Sequence, residues 1–116
     1  MKDSYKYITI RHCVFDFLPE MHLAYSLADL VISRAGAGAI AELAYFRKAA
    51  IVIPYPYARS HQVENALNLK RQEAAIVIEE NELNEFTLSE NILRLMQRAD
   101  ERKKMEDNIG ELAIPD

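Results

Sequence analysis

Leu30-Val31-Ile32-Ser33-Arg34-Ala35-Gly36-Ala37-Gly38-Ala39 is the stretch whose reading decides the fold. It opens on three consecutive apolar residues, with no polar residue alternating among them. A strand with one wet face alternates, whereas a continuous aliphatic run suits a strand buried on both faces, as in a parallel sheet. A run of small residues follows, and Ile40, Leu43 and Ala44 then fall at helical spacing. Strand, tight turn and helix in that order make the first half of a βαβ unit.

The pattern recurs downstream. Ala50-Ile51-Val52-Ile53 and Ala75-Ile76-Val77-Ile78 are again unbroken apolar runs. A further strand is expected near Cys13 to Phe17, and Tyr5 to Ile10 reads as another extended piece. Between these runs the spacing turns helical. Pro19 is placed to open a helix carrying Met21, Ala24, Tyr25 and Ala28. Val63, Ala66 and Leu67 mark another. Thr87 and Glu90 form a capping-box pattern ahead of Leu88, Ile92, Leu95, Met96 and Ala99. The charged run Asp100 to Asp107 carries Asp100–Lys104 and Lys103–Asp107 at i, i+4 and reads as a solvated terminal helix. The alternation predicts an α/β fold: a Rossmann-like parallel sheet with flanking helices and right-handed crossovers.

Composition narrows the possibilities. The 116 residues are one small domain's worth, and half of them are hydrophobic, enough for a core. A formal net charge of −4 argues against a nucleic-acid-binding surface, which usually shows a basic stripe. The single cysteine, Cys13, allows no internal disulfide and reads as a small core hydrophobe in a reducing compartment. No stretch approaches the roughly 20 apolar residues of a membrane helix, and the polar start Met1 to Lys6 is not a signal peptide. His12, His22 and His61 are too scattered for a metal motif, and no nucleophile triad is recognisable.

In parallel sheets, ligands bind at the carboxyl ends of the strands. The loops to inspect are therefore Ser33–Gly38, Pro54–Ser60 and the one after Ile78. The first follows a buried strand and opens a helix, so small residues and unpaired N–H groups meet a positive dipole end, which suits a diphosphate. The same residues also suit a plain tight turn. Glu42, one to two turns into that helix, can accept from two vicinal hydroxyls such as those of a ribose, or simply face water. In the second loop two prolines stiffen Pro54-Tyr55-Pro56-Tyr57. Gln62 and Asn65, three apart on one helix face, can serve sugar hydroxyls with His61 beside them. A polar, capped first turn is the competing reading.

Two segments together resemble a known family. Arg34-Ala35-Gly36-Ala37 with Ile40-Ala41-Glu42-Leu43 is followed by Ile53-Pro54-Tyr55-Pro56 and then His61-Gln62 with Asn65-Ala66. With the upstream Phe17-Leu18-Pro19-Glu20-Met21 and Ala28-Asp29-Leu30-Val31-Ile32-Ser33, this ordered set resembles the MurG family of peptidoglycan N-acetylglucosaminyltransferases in glycosyltransferase family 28. The likeness runs from about Cys13 to the end. It implies part of the C-terminal, donor-binding domain of a GT-B enzyme, spanning residues 1–116 without the N-terminal acceptor domain. It further implies UDP-N-acetylglucosamine as donor, lipid I as acceptor, inversion at the anomeric carbon and no cofactor. The acceptor and the membrane would be reached through the N-terminal domain, at the cytoplasmic face of the cell membrane, and no nucleic acid is involved. The fragment alone is expected to be inactive, with its catalytic base unassigned.

Carried over residue by residue, the resemblance gives Gly36, Ala37, Gly38 and Ala39 to the diphosphate and sugar. Glu42 goes to the ribose hydroxyls, and Gln62, Asn65 and neighbouring His61 to the N-acetylglucosamine. Arg34 is expected to brace the loop. Two departures stand out. The family usually has hydroxyl residues where this chain has Gly38 and Ala39. Its helix commonly ends in a Gly-Lys-Pro type turn, where this chain reads Arg47-Lys48-Ala49, and glycine is favoured there for its cheap left-handed conformation. Two other readings remain: a soluble subunit of a two-chain UDP-N-acetylglucosamine transferase, and a non-catalytic module that keeps the fold.

Overall fold

The structure, a computed structural model, describes residues 13–15, 28–57 and 61–113. The expected extended piece at Tyr5–Ile10 and the helix opening at Pro19 lie outside these residues, as do His12, His22 and the side chain of Cys13. The described elements are β1 (Cys13–Phe15), β2 (Leu30–Ser33), α1 (Ala37–Phe46), β3 (Ala50–Val52), α2 (Gln62–Arg71) and β4 (Ile76–Val77). A 3-10 turn (Glu80–Glu82), α3 (Glu85–Gln97) and α4 (Ala99–Gly110) complete them.

All strand pairs are parallel and the order is β1-β2-β3-β4. The unbroken apolar runs are strands: β2 and β3 are buried along their whole length, and Ile76 and Val77 of β4 are half-buried. Successive residues of β2 and β3 point to opposite sides, and two core layers result. Val31, Ala50 and Val52 join Leu43 and Ala44 of α1 with Ala66 and Leu69 of α2. Leu30, Ile32, Ile51 and Ile53 join Leu95 of α3, against which Leu88, Ile92 and Met96 also pack. The sheet is therefore covered on both faces, the α/β architecture that the alternation predicts.

Two helical details differ from the sequence reading. The capping box expected at Thr87 and Glu90 is not the start of α3. Its N-cap is Asn84, whose Oδ1 accepts from the Thr87 N–H at 2.8 Å and from Thr87 Oγ1 at 3.2 Å. Asn is as good an N-cap as Ser or Thr, and the earlier start lets Leu88 sit inside the helix instead of at its edge. The terminal charged run is only half solvated. Lys103 and Asp107 pair at 2.7 Å as expected, but Asp100 pairs with Arg98, and Lys104 reaches Glu73 at 2.7 Å. The opposite side of α4 buries Met105 in one core layer and Ile109 in the other. This helix closes the core at its end.

The helix ends explain how that closure holds. Arg47 follows α1 at φ 53°, the left-handed conformation that the missing glycine would have taken freely. A non-glycine residue there costs about 1 kcal/mol. The Arg47 side chain lies over Gly110, where an added Cβ would collide with it. A glycine at 110 thus makes the room that an arginine at 47 needs. Glu73 is left-handed too, at φ 55°. Asn108 Nδ2 donates to its carbonyl at 2.9 Å, and Lys104 beside it holds its carboxyl below the usual range. Arg102 donates to the Leu95 and Met96 carbonyls at 2.6 and 2.9 Å, closing the end of α3.

The cap assignment has a direct consequence. Asn84→Ala is expected to lower unfolding stability by about 1 kcal/mol, or roughly 4–8 °C in Tm for a domain of this size. Glu90→Ala should stay within about 0.5 kcal/mol of the parent, as surface changes do. Thermal melts of both variants check this, and the reverse order would restore the cap to Thr87.

Candidate functional site

Three loops leave the sheet at the same end. The ladder continues past the strands there, with Ile53 N–H donating to Ser33 O at 2.8 Å and Ile78 N–H to Val52 O at 3.0 Å. Beyond it the chain must satisfy its backbone without a neighbouring strand. Gln62, the first residue of α2, does much of this. Its Oε1 accepts from the backbone N–H of Ala35 at 3.1 Å and of Tyr55 at 2.9 Å. Two converging N–H donors identify that atom as the amide oxygen. One turn on, Asn65 Nδ2 donates to the Ala35 carbonyl at 2.8 Å. Ala35 is fully buried, so both of its backbone polar groups are satisfied by one face of α2.

The two amides therefore have a task that the sequence reading did not include. Gln62 Oε1 and Asn65 Nδ2 are committed to backbone. Gln62 Nε2 lies towards Gly36, where a Cβ would stand 3.5 Å from it. Arg34 is a brace, as expected. Its Nη1 donates to Ile53 O at 3.2 Å and pairs with Glu80 Oε2 at 2.6 Å, while its guanidinium lies 5.4 Å from the centre of the Tyr55 ring. It links the exits of β2, β3 and β4.

Gly36 caps α1 at φ −70° and ψ 153°, ordinary extended backbone, so no left-handed turn requires glycine there. What matters is the missing side chain. No side chain caps this helix and no acidic residue stands in its first turn. The first backbone bond of the helix is Ile40 N–H to Gly36 O. The N–H groups of Ala37, Gly38 and Ala39 precede it and have no acceptor within the helix. A Cβ on Gly38 would meet nothing within 4 Å, so the approach to this helix end is open.

Glu42 is half-buried and lines a cavity of about 800 Å³ with Ala37, Ala41, Tyr45, Phe46 and Asn65. Of the site residues expected from sequence, Ala37, Glu42 and Asn65 share this cavity, and Gly36 and Gln62 meet each other. Gly38, Ala39 and His61 do not line it. His61 is the exposed N-cap of α2, held left-handed at φ 56°. Among the described residues no group of three or more His, Cys, Asp or Glu is placed to hold a metal, and no helix is long and apolar enough to cross a membrane. Glu80 and the exposed Tyr55 and Tyr57 were not singled out by sequence. The alternation of tyrosine with proline in Pro54–Tyr57 was the available signal for the two rings.

An uncapped helix start behind a clamped small-residue loop, with a carboxylate further along the helix, is chemically suited to an anion and to hydroxyl groups. Comparison with known proteins gives the family. Residues 1–115 match the glycosyltransferase family 28 C-terminal domain, and the chain belongs to that family. It is 43% identical over 105 residues to the UDP-N-acetylglucosamine–N-acetylmuramyl-(pentapeptide) pyrophosphoryl-undecaprenol N-acetylglucosamine transferase of Thermodesulfovibrio yellowstonii, covering 90% of this chain and 29% of that protein. It is 42% identical over 104 residues to the protein of the same name from Bacteroides fragilis, covering 89% and 27%. The crystal structure of Acinetobacter baumannii MurG superposes with a TM-score of 0.74 at 32% identity, over 85% of this chain and 28% of that one. The chain thus spans less than a third of the length of these relatives. The fold expectation, a parallel sheet with flanking helices in a GT-B C-terminal domain, holds.

The clamp can be tested by itself. Gln62→Leu keeps the bulk and removes the acceptor, leaving the Ala35 and Tyr55 N–H groups without their partner. The expected loss is about 1–3 kcal/mol, with faster amide exchange at Ala35 and Tyr55 than in the rest of the sheet. Unchanged exchange at those two amides would show that the loops hold without Gln62.

Proposed function

We propose that residues 1–116 form part of the donor-binding domain of an N-acetylglucosaminyltransferase, and that the ligand is UDP-N-acetylglucosamine. The observation that carries the reading is the uncapped start of α1, with Gly36 and Gly38 leaving it bare and Glu42 lining a cavity with Ala37. The N–H groups of Ala37, Gly38 and Ala39 would take the diphosphate at the positive end of the helix dipole. Glu42 would accept from the ribose hydroxyls. Gln62, Asn65 and His61 would contact the N-acetylglucosamine. The reading calls for no cofactor.

The names of the relatives supply the rest of the proposal. The whole enzyme would transfer N-acetylglucosamine to an undecaprenyl-pyrophosphoryl-linked N-acetylmuramyl-pentapeptide, lipid I, making lipid II with inversion. Lipid I and the membrane would be engaged by the N-terminal acceptor domain, at the cytoplasmic face. On this reading residues 1–116 by themselves would bind donor without turnover.

The test is a titration of the 116-residue chain with UDP-N-acetylglucosamine, followed by amide NMR shifts, with GDP-mannose as control. Shifts confined to Gly36–Glu42 and Gln62–Asn65 are expected for the UDP-sugar alone. Glu42→Ala should weaken binding about tenfold or more, the loss of a charged hydrogen-bond acceptor. A folded chain whose amides do not respond to either nucleotide sugar would instead favour the non-catalytic module.

A further inference from the structure

Among the described residues Arg47, His61 and Glu73 are held left-handed although none is glycine. Two of them follow a helix. Arg47 caps the end of α1, and Glu73 comes just after α2, where its N–H donates to Lys70 O. Left-handed backbone is ordinary at those places. His61 stands instead at the start of a helix, with φ 56° and ψ 16°. An N-cap residue is usually extended, as Gly36 and Asn84 are. A left-handed residue that carries a Cβ is strained, and such strain persists where the surroundings over-determine it, most often at a functional site. Histidine is among the few side chains enriched in that conformation. The His61 side chain is exposed and makes no capping hydrogen bond. What the residue gives to α2 is its carbonyl, which accepts from the Asn65 N–H at 3.1 Å.

The surroundings of His61 are the clamp. Gln62, the next residue, offers Oε1 to the N–H groups of Ala35 and Tyr55. Asn65, whose N–H rests on the His61 carbonyl, gives Nδ2 to Ala35 O. Tyr55 lies seven residues before Gln62. The chain leaving β3 must therefore reverse within that length and turn the start of α2 back towards the strand exit. His61 is the last backbone joint before that helix. At an extended φ of about −120°, the segment bearing Tyr55 would swing away from the face bearing Gln62 and Asn65, and Gln62 Oε1 would no longer face both N–H groups. We infer that His61 is a positioning residue: its left-handed backbone aims the amides of Gln62 and Asn65 at the loop that opens the donor site. This rests on the donor-binding reading above.

The test varies the backbone preference at 61 while removing the imidazole every time. His61→Gly and His61→Asn accept the left-handed conformation readily, His61→Ala does so at a cost, and β-branched His61→Val resists it most. Any ligand contact of the imidazole is lost from all four and cancels from the comparison. Amide exchange is followed at Ala35 and Tyr55, with Ile53 in the neighbouring ladder as control. Affinity for UDP-N-acetylglucosamine is measured calorimetrically on the 116-residue chain and each variant. The valine chain is expected to exchange about tenfold faster than the glycine chain at Ala35 and Tyr55, and to bind the UDP-sugar about tenfold more weakly, the size of a left-handed penalty. Ile53 should be unchanged, asparagine should match glycine, and alanine should fall between glycine and valine. The alanine chain carries the comparison if the valine chain does not fold. Equal exchange and affinity in the glycine chain and its alanine and valine counterparts would overturn the inference with the donor reading intact. Faster exchange at Ile53 as well would make His61 a general support of the fold and overturn it too. A parent chain that does not bind the UDP-sugar would remove the donor reading and the inference with it.

Discussion

The site depends on one constraint: Ala35 is buried just past the end of β2, where the parallel ladder can no longer satisfy its backbone. A buried N–H or C=O without a partner costs on the order of 1–3 kcal/mol. Two amides on one face of α2 satisfy both groups, Gln62 at the N–H and Asn65 at the carbonyl. Because Gln62 Oε1 also holds Tyr55, the exits of β2 and β3 are fixed relative to each other. Arg34 extends the tie to Glu80 beyond β4. The rigid end of the sheet is therefore built by polar side chains placed where the backbone runs out of partners. A loop held in this way can leave a helix start bare without collapsing over it.

Much of this was legible in the sequence, for identifiable reasons. The strands at Leu30–Ser33, Ala50–Val52 and Ile76–Val77 carry unbroken apolar runs, and double-sided burial leaves few other homes for such runs. The helix starting at Ala37 follows from a small-residue turn and a 3.6-residue stripe. Arg34 as a brace was implied by the family resemblance, and the structure supplies its partners, Ile53 O and Glu80. The start of α3 was misread because Thr87 and Glu90 satisfy a local pattern, while Asn84 satisfies the same need three residues earlier and brings Leu88 onto the core. The closing role of α4 was hidden under its charges. Met105 and Ile109 are only two apolar residues in a mixed-sign run, and what they pack against comes from distant parts of the chain.

The roles of Gln62 and Asn65 show where sequence reasoning stops. Three-residue spacing placed both amides on one face and in the right turn. It could not say that their first partners are backbone groups about thirty positions upstream, because that pairing exists only after the sheet has brought β2 beside α2. The departures at the other end of α1 have the same character. Arg47 in place of a glycine reads as a local penalty. In the fold it lies across Gly110, so the glycine has in effect moved to the partner helix, and the strained arginine joins α1 to α4.

Gly38 and Ala39 bear on how a diphosphate would be held under the proposed function. Hydroxyl side chains at these positions would add hydrogen bonds to phosphate oxygens. Without them, and with Arg34 engaged by Glu80 and Ile53 O, attraction must come chiefly from backbone N–H groups and the helix dipole. Such groups are fixed in direction by the helix and need no side-chain ordering when the anion arrives, whereas a flexible lysine or arginine loses rotamer freedom. They also allow a chain with a net charge of −4 to accept a dianion, since the relevant potential is that of the helix end and not of the whole molecule. The clamp at Ala35 then matters for binding as well as for stability. A backbone anion site is only as good as the loop that keeps its N–H groups pointing outward.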